Sequence, residues 1–192
     1  MSRLRGLRAA LADEDVRSIS RRYFISNGFD GTLTSIGVVV GAYLSGITDG
    51  LTVFAIGIGG AVGLGTSGVW SVWEIERAEK QAETLRTEAA MLRELDDTVV
   101  ARRDRRGRVV NAVMSGIGPI IGVVLPLLPF LVVPDVVSLE AATAAAVAIG
   151  VSVLFSFGAY LGSISKQRWY VAGVRMGLAG LVVAAINLLI PT

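Results

Sequence analysis

The sequence predicts an all-α integral membrane protein of five transmembrane helices, with the N-terminus cytoplasmic, the C-terminus external and helix two extended into the cytosol. Three observations carry this. Hydrophobic residues make up 53% of the chain, charged residues only 18%, and the mean hydropathy is +0.63, a balance foreign to a soluble chain of 192 residues. The apolar residues gather into five runs, 23–47, 51–73, 109–133, 136–164 and 169–190, each able to cross a hydrocarbon core about 30 Å thick at ~1.5 Å per residue. All 18 Lys and Arg fall in segments that alternate spans place on one side, and the positive-inside rule makes that side the cytoplasm.

Composition also excludes chemistry. Cys and His are absent, which removes disulfides, thiolates, imidazole bases and the usual soft or borderline metal ligands. No enzyme and no resident cofactor are predicted, because no nucleophile and base constellation is visible. The near-even charge balance, +2 in net, gives no reason to expect nucleic acid. The expected partners are the lipid bilayer, a divalent metal ion and a second copy of the chain.

Residues 1–22 carry six Arg, with Leu4, Leu7 and Leu11 at helical spacing. This is either a basic amphipathic helix on the anionic inner leaflet or a solvated tail. Residues 23–73 hold the first two spans. In helix one, Asn27, Asp30, Thr34, Gly37, Gly41 and Ser45 recur at intervals of three or four and share one narrow face. A carboxylate at such a depth costs roughly 3 kcal/mol, so Asp30 marks a candidate functional site. The face is either a transport pathway of oxygen ligands (Asp30, Asn27, Thr34) or a small-residue packing seam built on Gly37 and Gly41.

Helix two is rich in Gly and runs past the membrane without Gly or Pro between Val69 and Asp97. Residues 74–108 form a cytosolic helical insertion. Ile75, Ala78, Ala82, Leu85, Ala89 and Leu92 make a heptad seam suited to a hairpin or a dimer contact. Glu76, Glu79, Glu83 and Glu88, with Met91, are candidate metal ligands, since several carboxylates at helical spacing suit a hard divalent cation. The alternative is a solvated face of ordinary ion pairs, Glu76 with Lys80 and Glu83 with Arg86. The run from Arg102 to Arg108 reads as a basic collar at the headgroups.

Residues 109–192 hold helices three to five. Pro126 and Pro129 in Leu125-Pro126-Leu127-Leu128-Pro129-Phe130 must kink or end helix three, making a tight turn near the surface or a pathway wall. Asn111 faces the bundle or the headgroups. Glu140 is interfacial. Arg175 in helix five either snorkels to the inner headgroups or pairs with Asp30 or Glu74. Trp70, Trp73, Trp169 and Tyr170 sit where interfacial rings anchor helix ends.

With these residues on view, the chain from Asn27 to its C-terminus resembles the vacuolar iron transporters, in a divergent prokaryotic form. The resemblance rests on Asp30-Gly31, on Gly60-Ala61 before the Gly-rich half of helix two, on the Leu-Pro-Leu-Leu-Pro-Phe run, and on Gly158-Ala159-Tyr160-Leu161-Gly162. It implies a dimeric five-helix carrier of Fe2+ or Mn2+ exchanging metal for protons, with Asp30 on the path and Glu and Met of the insertion collecting metal. If the source is prokaryotic, the cell membrane is the implied location. Helix two departs from the pattern: residues 56–68 contain no carboxylate and no Met, and Leu64 stands where the Met aligns. The competing classes are a non-transporting five-helix module whose heptad helix binds partners, and a channel for another cation.

Overall fold

The computed structural model describes residues 13–91 and 99–189, with the side chains of 91 and 99–105 left aside. Among the described residues the fold is all-helical. Five long helices run α1 (Glu14–Leu44), α2 (Gly50–Met91), α3 (Val99–Leu127), α4 (Leu139–Ile164) and α5 (Trp169–Leu189), with a 3-10 segment, Leu128–Val132, after α3. Four are long and apolar enough to cross a membrane: Gly50–Ala90, Arg106–Val132, Leu139–Ile164 and Trp169–Leu189. The fifth, α1, has 31 residues and is therefore about 46 Å long. Asn27, Asp30, Thr32, Thr34 and Ser35 dilute its apolar run.

The chemistry of the helix ends explains the element boundaries. Asp13 caps α1 by accepting from the Asp15 amide, and Glu14 and Asp15 lie in the first turn, where negative charge favours the helix dipole. Residues 14–22 of the basic N-terminal stretch are thus the first turns of α1, while residues 1–12 lie outside the described residues. At the other end Gly46 adopts φ +75°, a left-handed conformation open to Gly. Its amide bonds to the Tyr43 carbonyl and that of Ile47 to Ala42, closing the helix earlier than the apolar run ends. Asp49 and Ser138 cap α2 and α4 through the amides of Thr52 and Ala141.

The 42 residues of α2 would reach about 63 Å, twice the hydrocarbon thickness, so its last turns project beyond the bundle. The helix-three prolines do end a helix. Buried Pro126 occupies the last turn of α3, and half-buried Pro129 begins the 3-10 segment, whose Phe130 is fully buried. The result is a compact turn over the end of the core.

α1 is the central element and touches α2, α3, α4 and α5. Around its outer half lies a core of Ile36, Val39, Val123, Leu127, Phe130 and Leu154. Its tightest crossing is with α3. A Cβ on Gly31 would stand 2.6 Å from Pro119 Cα, and one on Gly122 would stand 2.4 Å from the Gly28 carbonyl. The close-packing seam of α1 is therefore Gly28 and Gly31. This differs from the Gly37 and Gly41 expectation: Gly37 meets α5 loosely, 3.6 Å from Asn187, and Gly41 has nothing within 4 Å. The glycines of α2 divide likewise. Gly57, Gly65 and Gly68 pack on α3, whereas Gly59, Gly60 and Gly63 look into open space. Both α1 and α2 thus carry a small-residue face that the single chain leaves uncovered.

Candidate metal-ion path

Asp30 and Thr34, one turn apart on α1, both lie exposed on the outside of the bundle. The Thr34 hydroxyl donates to the Asp30 carbonyl at 2.8 Å, an internal helix bond that leaves the oxygen lone pairs available. Asp30 makes no ion pair among the described residues. Arg77 pairs with Glu74 at 3.8 Å and Lys80 with Glu83 at 2.8 Å. Arg175 is exposed and pairs with neither Asp30 nor Glu74. A bare carboxylate facing lipid costs roughly 3 kcal/mol. The Asp30 face therefore calls for water or another protein surface.

Asn27 is on a different side. Its Nδ2 donates to the Ser115 carbonyl at 3.2 Å and, in a short bond, to the Ser115 hydroxyl. Ser115 in turn donates to the Gly68 carbonyl at 3.0 Å. Asn27 thereby ties α1 to α3, and Ser115 ties α3 to α2. The single polar face expected for Asn27, Asp30 and Thr34 is split, because the helical angle between Asn27 and Asp30 is wide enough for α3 to claim one and leave the other.

The carboxylates of α2 separate into two kinds. Glu74, Glu79 and Glu83 are exposed, and Lys80 holds the Glu83 carboxyl below the usual carboxylate range by hydrogen bond and charge. Glu76 is 8% exposed and turns inward, accepting from Asn111 Nδ2 at 3.1 Å. The expected Glu76 to Lys80 and Glu83 to Arg86 spacings give way to Glu74 with Arg77 and Lys80 with Glu83. Glu88 is half-buried and has interactions of its own, and the Met91 side chain lies outside the described residues. Among the described residues no three acidic side chains converge as a metal site. The candidate ligands of α2 are therefore not gathered by a single chain. The heptad seam is uncovered too, with Ile75 46% and Leu85 59% exposed.

Beside Glu76 the basic end of the bundle holds a polar and aromatic group that the spacing alone does not reveal. The Arg108 guanidinium lies 5.0 Å from the centre of the Trp73 ring, a cation–π contact. Tyr23 of α1 is within electrostatic range of Glu76 and Glu79. Phe24 meets Phe157 edge to face, 5.9 Å between centroids.

Long apolar helices around a polar central helix, with an acid on an uncovered face, define a multi-pass integral membrane protein. The chain belongs to the VIT family, whose model matches residues 70–192. The family is one of membrane metal-ion transporters. The match starts midway along α2 and leaves Asp30 outside it. An uncharacterized protein of the archaeon Methanocaldococcus jannaschii is 29% identical over 172 residues, covering 88% of this chain and 87% of its own.

Proposed function

We propose that the protein is a carrier of Fe2+ or Mn2+ that moves metal out of the cytoplasm in exchange for protons, working as a homodimer in the cell membrane. The observation that carries this is the placement of Asp30: a carboxylate with no counter-charge among the described residues, on an uncovered face of the central helix, in a family of metal-ion transporters. A second copy set against the open faces of α1 and α2 would bring two Asp30 carboxylates together. With Thr34 and backbone carbonyls they would supply the roughly six oxygens that a hard divalent cation prefers. The same pairing would cover the seam from Ile75 to Leu85 and bring Glu79, Glu83, Glu88 and Met91 of two chains into one collecting region, with Glu76 turned inward behind it. Asn27 would act from behind, fixing the rotation of α1 through Ser115.

Proton coupling follows from the charge balance of such a site. A carboxylate binds a cation in its deprotonated form, so a metal ion and a proton compete for the same oxygens. The test is reconstitution in proteoliposomes with an internal pH dye and a panel of Fe2+, Mn2+, Co2+, Zn2+ and Ca2+. Uptake of Fe2+ or Mn2+ with opposite proton movement is expected. Metal flux with no pH change would point to a channel, and no flux of any ion to a non-transporting module.

A further inference from the structure

Asn111 of α3 is 2% exposed, and its carboxamide is only half used. Nδ2 donates to Glu76, while Oδ1 has no hydrogen-bond partner. Glu76, itself 8% exposed, has no cation within ion-pair distance among the described residues. Arg108, one turn from Asn111, is held over Trp73 instead. A buried carboxylate beside a buried carboxamide whose carbonyl oxygen is unpaired is an arrangement that a polypeptide rarely leaves unused.

We propose that Asn111 is an oxygen ligand, beside Glu76, of a divalent-cation station where α1, α2 and α3 meet at the basic end of the bundle. With Nδ2 turned to the Glu76 carboxyl, Oδ1 is left stranded. A half-turn of the amide about its own two-fold torsion exchanges the two atoms and aims Oδ1 and the carboxylate at one point. Both are hard oxygen donors, the kind that Mn2+, Fe2+ and Ca2+ accept. Tyr23 lies within electrostatic range of both Glu76 and Glu79, so α1 borders the station and Glu79 adds negative charge near it. Along α1, Tyr23 precedes Asp30 by two turns, so the station stands about 10 Å nearer the basic end than Asp30. Its role as a stop on a transport path rests on the function proposed above, whereas its capacity to bind metal does not.

The experiment is Mn2+ titration of the full chain in detergent, followed by electron paramagnetic resonance, in an Asp30→Asn background that removes the outer carboxylate. Glu76→Gln is expected to abolish the tight site, and Asn111→Ala to weaken it by at least ~10-fold. Asn111→Asp, which keeps an oxygen and adds charge, is expected to tighten it several-fold. Unchanged affinity in Asn111→Ala overturns the proposal. If that variant aggregates, Asn111→Asp decides, and unchanged or weaker binding overturns it. Metal flux by the native chain with Mn2+ binding indifferent to Asn111 would remove the station and leave transport standing. Binding that depends on Asn111 in a chain without flux would do the reverse.

Discussion

Asp49 is a polar residue whose worth is local and pH-dependent. It accepts from the amide and hydroxyl of Thr52, and these bonds to the ionised form hold its carboxyl below the ordinary value of 3.8. A depressed folded value means the cap is fully present above the unfolded value and is lost as pH falls through the folded one. Amide exchange in the first turn of α2 should therefore be unaffected by Asp49→Ala only at strongly acid pH; at neutral pH the variant should exchange faster. At the α1 crossing with α3, a Cβ at 122 would strike the Gly28 carbonyl at 2.4 Å and Thr32 Oγ1 at 2.7 Å. Gly122→Val should cost about 1–3 kcal/mol by overpacking, seen as a lower unfolding midpoint in detergent. Asp30 was legible as a candidate from cost alone, since one acid in an apolar run stands out. The bond between Glu76 and Asn111 was not, because the two residues are 35 apart and no spacing rule reaches across helices.

At the scale of the element, α1 shows both the strength and the limit of reading periodicity. Intervals of three and four correctly put Asp30 and Thr34 together, but a helix face is wide and its neighbours divide it. α3 took Asn27 and left Asp30 outside. The same limit explains the glycine seam, since a GxxxG spacing says that a close approach is possible and not which pair achieves it. Gly28 and Gly31 meet Pro119 and Gly122, while Gly41 meets nothing. The helix ends were legible where chemistry marks them, as at Pro126 and Pro129, and misplaced where a Schellman turn at Gly46 closes α1 inside an apolar run. For α2, the charges give no breaker and the helix continues as expected. Leu85→Glu, on a seam 59% exposed in the single chain, should leave the unfolding midpoint within ~0.5 kcal/mol of native stability if nothing covers it. If a second copy covers it, cross-linking between chains should fall sharply; that is the outcome expected here.

At the scale of the whole molecule, five helices and a multi-pass membrane architecture followed from hydropathy and the distribution of Lys and Arg, because the bilayer admits few solutions for the backbone. A single chain leaves uncovered an acid, two small-residue faces and a heptad seam, and these are the surfaces that the proposed dimer would cover. Gly41→Leu and Gly59→Leu should each lower the dimer fraction in native mass spectrometry without changing helix content. The central claim is that Asp30 exchanges a metal ion for a proton. Its most direct test is Mn2+ uptake into proteoliposomes carrying an internal pH dye, comparing the native chain with Asp30→Asn at equal protein incorporation. The account predicts coupled metal and proton movement in the first and neither in the second; undiminished coupled transport by Asp30→Asn would contradict it.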